Sequence, residues 1–222
     1  MALTAPRFTL EETLDLPDDG RFYELLDGEL FEVTSPDLDH SDIVGELFDW
    51  LRRAYRAGYG RAYTAPTQVL LDPLRARRNA PEPDVFFVRK EHAARLAGRV
   101  MEGVPDLLIE VLSPTTRDLD LPGGKKWAIY ERFAVPSYWV VDPQTRLVAQ
   151  YAWHAGGYDD PARVLPGGTL HYHGFPEITL AVDELWAQVR QPEQPIQGRD
   201  PFQVRGRREG TTNGQTPRNR GV

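Results

Sequence analysis

Two short apolar runs with a helix-like segment between them constrain this chain most. Leu107-Leu108-Ile109-Glu110-Val111-Leu112 and Tyr138-Trp139-Val140-Val141-Asp142 each read as a buried strand. The intervening Ser113 to Val135 reads as a polar loop and then a helix. A strand that returns after a helix, among further strands and helices, argues for an α/β fold with a mixed sheet. One residue disturbs the pattern. Glu110 is a carboxylate inside what reads as sheet core. An unpaired buried carboxylate costs several kcal/mol or shifts its pKa until it is neutral. The strand must therefore offer it a cation, a hydrogen-bond partner or water.

The rest of the chain is consistent with one α/β body. Thr9 with Glu12 three residues on predicts a capped N-terminal helix. Asp27-Gly28 between two apolar runs predicts a hairpin. Residues 39–58 predict a helix with Ile43, Val44, Leu47, Leu51 and Tyr55 on its apolar face and Gly58 past its end. Strands are expected in 61–72 and 82–90, a short helix in 91–98, a strand in 147–158 and a closing segment in 175–189. Residues 1–190 are expected to form one domain. The last stretch, 191–222, is rich in Pro, Gly, Arg, Asn and Gln and lacks apolar periodicity, so a disordered tail is expected. It carries six arginines against Glu193, Asp200 and Glu209; its +3 leaves −10 on the body within the formal total of −7. A uniformly basic nucleic-acid coat is thereby excluded, though not a local basic cleft.

The 222 residues contain no cysteine, which excludes disulfides, thiolate metal sites and a cysteine nucleophile. No apolar run is long enough to span a bilayer and the first residues lack a secretory pattern. A cytoplasmic protein with no membrane association is expected; a homodimer is left open.

The strand Asp84-Val85-Phe86-Phe87-Val88 repeats the anomaly, with a carboxylate leading into an apolar run. Paired strands would set Asp84 beside Glu110, and two such acids suit an oxygen-preferring divalent cation such as Mg²⁺ or Mn²⁺. The plainer alternative is a buried Glu–Lys pair plus an aspartate capping the turn after Pro83. Lys125 and Lys126 open a helix straight after a glycine pair; the spacing is not that of a P-loop. Either lysine could reach the acids from there, or both could be solvated. Glu46 on the long helix could add an acidic ligand, His40 could line a cleft or only begin its helix, and Gln68 could orient a phosphate or water. His171 and His173 alternate on one strand face but lack a third ligand, so they are not read as a metal site. Trp127, Tyr130, Tyr138 and Trp139 are read as core, and Asp106 and Asp142 as structural residues at strand ends. No G-x-S-x-G elbow is present.

Taken in order, YELLDGELFEV, His40-x-x-Ile43, PEPDVFFV, PDLLIEVLSPTTR, Lys126-x-x-x-Tyr130, VPSYWVVDP and FPEITLAVDELW resemble the Uma family of restriction-endonuclease-like proteins, within the PD-(D/E)xK nuclease superfamily. The resemblance spans about residues 8–187. It implies a restriction-endonuclease-like central mixed β-sheet flanked by helices, and a metal-dependent DNA endonuclease. Asp84 matches the motif aspartate and Glu110 the second acid. The lysine usually two residues further on would fall on Leu112; Lys126 takes its place from the following helix. The implied metal site is Asp84, Glu110 and the Val111 carbonyl, holding Mg²⁺ or Mn²⁺. The other class to weigh is a non-catalytic nucleic-acid-binding or assembly module on the same scaffold.

Overall fold

A computed structural model of the chain describes residues 7–17, 19–96, 98–189 and 201–204. Helix α1 (Leu10–Leu14) begins with the expected capping box between Thr9 and Glu12. Strands β1 (Phe22–Leu26) and β2 (Glu29–Val33) form an antiparallel hairpin. Its turn residues Asp27 and Gly28 both have left-handed backbones, φ 54° and 79°, as a tight hairpin turn requires. Helix α2 (Leu38–Arg56) follows, capped by Asp37, and then β3 (Gly60–Thr64), β4 (Val69–Leu70) and β5 (Val85–Arg89). A 3₁₀ segment (Lys90–Leu96) leads to β6 (Met101–Glu102) and β7 (Leu107–Val111). Two helices, α3 (Arg117–Asp120) and α4 (Lys125–Arg132), connect β7 to β8 (Ser137–Asp142). The chain closes with β9 (Leu147–His154), β10 (Gly157–Tyr158), β11 (Ala162–Val164), β12 (Thr169–Leu170), β13 (Leu180–Ala181) and α5 (Val182–Leu185).

The central sheet has seven strands in the order β10-β9-β8-β7-β5-β3, with β11 also on β9. Only β7 and β8 pair in parallel in this sheet; β3, β5, β8, β9, β10 and β11 make their other contacts antiparallel. The α3–α4 connection supplies the crossover that a parallel neighbour requires. Side chains alternate across β7. Leu107, Ile109 and Val111 join α2 in one core, while Leu108 and Leu112 join α4 in the other. Glu110 therefore faces α4.

One expectation needs correction. On α2 the buried stripe is Ile43, Leu47, Trp50, Leu51 and Ala54, while Tyr55 is 44% exposed. Steps of four residues drift about 40° each around a helix, so Tyr55 lies about 120° from Ile43. Trp50 takes the place on that face, stacked on Trp139 with centroids 5.6 Å apart and donating its indole N–H to the Ile178 carbonyl. Of 191–222, expected as a disordered tail, residues 201–204 are the part among the described residues. Pro201–Val204 lie against the body: Phe202 is 2% exposed in the α4-side core, and its carbonyl accepts the Tyr151 hydroxyl at 2.8 Å. The Phe202 ring supplies the apolar burial that the composition argument averaged away. The remaining tail positions lie outside the described residues.

Candidate active site

The β5–β7 register sets Val85 opposite Ile109 and Phe86 opposite Leu108. One step further along that ladder brings Asp84 opposite Glu110, on the same face of the sheet. The two acids clasp each other's main chain. The Val111 N–H donates to Asp84 Oδ2 at 2.7 Å, and the Asp84 N–H donates to Glu110 Oε2 at 3.3 Å. Glu110 is 2% exposed. Its Oε1 receives the Tyr130 hydroxyl at 2.7 Å and the Lys126 ammonium at 2.8 Å. Both partners come from α4, four residues apart on one helical face.

Lys126 is 4% exposed and is the hub of the cluster. Besides Glu110 it meets Glu24 Oε1 of β1 at 3.1 Å and Asp120 Oδ1 of α3 at 3.7 Å. Its helix begins at Gly124, where a Cβ would lie 2.2 Å from the Asp118 carbonyl oxygen and 2.4 Å from that of Leu119. Glycine there lets α4 start directly against the end of α3, which brings Asp120 and Lys126 together. Lys125 points elsewhere. It pairs with Glu29 on the hairpin and lies 4.6 Å over the Phe31 ring. The geometry separates the two lysines that the spacing left adjacent.

Burial and like charge dominate the electrostatics. Burial pushes the Glu110 carboxyl well above the usual range; Lys126 opposes the rise, and Asp120, Asp84 and Glu24 add to it. Burial likewise raises Asp120 to about 7, against the pull of Lys126. Burial by itself would lower Lys126, but Glu110, Glu24, Asp120 and Asp84 outweigh it and hold the ammonium well above its ordinary value. Burial and Glu24 raise Glu82, two residues before Asp84, to about 7; the Gln68 side chain and Lys126 work against them. His40 Nε2 stands 3.2 Å from Asp84 Oδ2. Burial works to lower that imidazole, but Asp84, Asp37 and a hydrogen bond to the Val111 main chain raise it overall.

These groups open on a cleft of about 740 Å³ whose walls include Glu24, His40, Glu82, Asp84, Glu110 and Lys126. Hydroxyls cross its rim. Thr34, before α2, meets Thr115 at 3.0 Å, and Ser113 meets Thr115 at 3.1 Å and Thr116 at 3.0 Å.

The structure thus brings together Asp84, Glu110, Lys126 and His40, with the Val111 main chain beside them. Gln68 enters indirectly, through Glu82. Glu46 does not enter: it is exposed on α2 and lies outside the cleft wall, because that turn of α2 directs residue 46 to solvent. Sequence reasoning missed Glu24, Glu82 and Asp120. Glu24 carried the same signal as Glu110, an acid within the apolar run Phe22-Tyr23-Glu24-Leu25-Leu26. Asp120 carried none, since an acid in a polar connection has no pattern to break. Tyr130, Trp127, Tyr138 and Trp139 are buried as expected, and Tyr130 also serves the site through its hydroxyl.

As donors for a cation, Asp84, Glu110 and the Val111 carbonyl present only hard oxygens, which suit Mg²⁺ or Mn²⁺. The two carboxylates share one face; the Lys126 ammonium lies against Glu110 and the His40 imidazole against Asp84. This chemistry fits a divalent ion. No cluster of three or more His, Asp or Glu side chains is preassembled for a metal among the described residues.

A crystal structure described as a putative nuclease belonging to DUF820, from Anabaena variabilis, superimposes with a TM-score of 0.65 at 19% identity, over 82% of this chain and 99% of that one. It establishes the likeness of fold. No curated protein matches the chain significantly. Among the described residues no helix is long and apolar enough to cross a membrane. The Uma2 family, described as "Putative restriction endonuclease", matches residues 10–183. With that match over most of its length, and with the fold and acid–lysine cluster described above, the chain belongs to the Uma2 family.

Proposed function

We propose that the protein is a metal-dependent DNA endonuclease of the PD-(D/E)xK type that hydrolyses phosphodiester bonds. The observation that carries this reading is the convergence of Asp84 and Glu110, opposite each other across β5 and β7, with the Lys126 ammonium 2.8 Å from Glu110. Asp84, Glu110 and the Val111 carbonyl would hold Mg²⁺ or Mn²⁺. When bound, such an ion supplies Lewis-acid polarisation of the phosphate and a lowered pKa for a coordinated water.

The chain's own residues do the rest. Lys126, kept protonated by the acids around it, lies where it can orient the attacking water or offset negative charge developing on the phosphate. Tyr130 fixes one oxygen of Glu110 and so sets the direction of the other. His40, its imidazole raised by Asp84, Asp37 and the Val111 main chain against burial, offers a second hydrogen-bonding group at the edge of the cleft. The buried position of Lys126 and Glu110 lowers the effective dielectric around them and strengthens each of these contacts.

The test is nicking of supercoiled plasmid DNA with Mg²⁺ or Mn²⁺, with excess chelator, and with Glu110→Gln. The expected result is cutting that requires the ion and is lost in the variant. Cutting that survives chelation, or a variant as fast as the parent, overturns the reading. Metal binding without cutting of any DNA moves the function to the non-catalytic alternative on the same fold.

A further inference from the structure

The lysine has a difficulty that its position creates. Its shortest ion pair is with Glu110, at 2.8 Å. Under the proposed function Glu110 must also serve a cation, and a carboxylate turned toward a divalent ion releases much of its hold on an ammonium. A lysine fixed by Glu110 alone would swing away when it is needed. The stem has four rotatable bonds, so a single ion pair does not fix the ammonium.

We infer that Glu24 and Asp120 are positioning residues that cradle Lys126 independently of Glu110. Glu24 approaches from the β1–β2 hairpin and Asp120 from α3, so both lie outside the β5–β7 acid pair. Each is held from behind. Glu24 Oε1, 3.1 Å from the ammonium, also accepts the Glu82 N–H at 3.1 Å. The Asp120 carboxylate takes a hydrogen bond from the Thr116 side chain, and the Asp120 carbonyl accepts the Tyr138 hydroxyl at 2.8 Å. Glu24 is 5% exposed and Asp120 is 1% exposed. Three buried acids around one ammonium are more than a structural ion pair needs. Asp120 Oδ1 makes no hydrogen bond in the resting arrangement and faces the ammonium at 3.7 Å. That spare acceptor can close on Lys126 when Glu110 lets go. The surroundings of Asp120 act on its carboxyl in both directions. Burial raises it to about 7, Lys126 pulls it down, and Asp84 and Glu24 push it up.

The cradle can be tested without metal or DNA, so its failure and that of the nuclease reading are separable. The chain has only three lysines, Lys90, Lys125 and Lys126, so lysine side-chain NMR gives three ammonium signals to assign. The readout is the exchange rate of the Lys126 ammonium protons with water, referenced to Lys125 in the same sample. Glu110→Gln mimics the withdrawal of Glu110's charge. In that variant the cradle keeps the Lys126 rate within about threefold of the parent, whereas Glu24→Gln combined with Asp120→Asn speeds exchange by about tenfold or more despite an intact Glu110. The single variants are read in the same way should the double variant unfold, each giving a smaller acceleration. The opposite ranking, with Glu110→Gln freeing the lysine and the cradle variants leaving it slow, overturns the inference. Under the nuclease reading the cradle variants further lower kcat with little change in KM, because they displace a group that acts in the transition state.

Discussion

Two carboxylates sit sealed from solvent on neighbouring strands, Glu110 on β7 and Asp142 on β8, and the chain surrounds them in opposite ways. Asp142 is supplied with donors. Arg117 Nη1 and the Gln144 N–H reach Oδ1 at 3.2 and 3.0 Å, and Arg117 Nη2 and the Thr145 hydroxyl reach Oδ2 at 3.0 and 2.9 Å. One acid meets one bidentate cation and two neutral donors, so charge and hydrogen bonds balance. Glu110 is instead set among other acids. One lysine is shared with Glu24 and Asp120, and Asp84 stands directly across the ladder. Burial above all, and then Asp120, Asp84 and Glu24, push its carboxyl well upward against the pull of Lys126. A satisfied buried acid closes a structure, whereas an oversupply of buried negative charge beside a cleft is the pattern of a candidate functional site.

The contrast predicts opposite costs of substitution. Asp142→Ala leaves Arg117 half-sheltered without its partner and should cost about 3 kcal/mol of stability in urea denaturation. Glu110→Gln should cost no stability, or add a little, because it removes one of several mutually repelling charges. It should nevertheless lower DNA cleavage by about 100-fold or more, since the acid's proposed role is chemical. Equal destabilisation by the two substitutions would break the comparison. Lys126→Ala should lower cleavage by about tenfold while calorimetric Mg²⁺ binding persists, because the lysine acts on water or developing charge and not on the ion.

The same contrast has a pH signature. Asp120 is raised from 3.8 to about 7 in the fold, so the folded state binds a proton that the unfolded chain has already lost in that window. Stability from this group is therefore full below about pH 4, falls as pH rises toward about 7, and is level beyond. Asp120→Asn should flatten that slope in denaturation curves recorded across the interval. An unchanged slope would mean that Asp120 does not share the cluster's excess charge. The smallest effect belongs to Lys125→Ala. That side chain pairs with Glu29 on the surface of the hairpin, so its loss should change stability little and leave plasmid nicking unchanged.

Much of the molecule was legible from local chemistry. The hairpin at Asp27-Gly28, the capping box at Thr9 and Glu12, and the strand–helix–strand unit from Leu107 to Asp142 follow from rules that act within a few residues. Misplaced acids in apolar strands pointed to Asp84 and Glu110, because burying charge is costly wherever it happens. The buried face of α2 was only partly legible. Periodicity marks a stripe, but Trp50 was drawn into it by Trp139 and the Ile178 carbonyl, distant in sequence. Phe202 shows the same limit, since one aromatic side chain in a polar segment docks only because Tyr151 and the α4-side core offer a place for it.

The sequence by itself determined the residue types: an acid in each of two adjacent strands, a lysine pair at a helix start, and the alternation that fixes which strand residues share a face. The tertiary structure decided which lysine enters and which further acids surround it. Lys125 and Lys126 are chemically identical and adjacent in the chain. About 100° of helical rotation separates their side chains, and only the position of α4 against β7 sends one to Glu110 and the other to Glu29. Glu24 and Asp120 reach the same ammonium from 102 and 6 residues away along the chain. Contacts over such separations are set by packing, which no local pattern encodes.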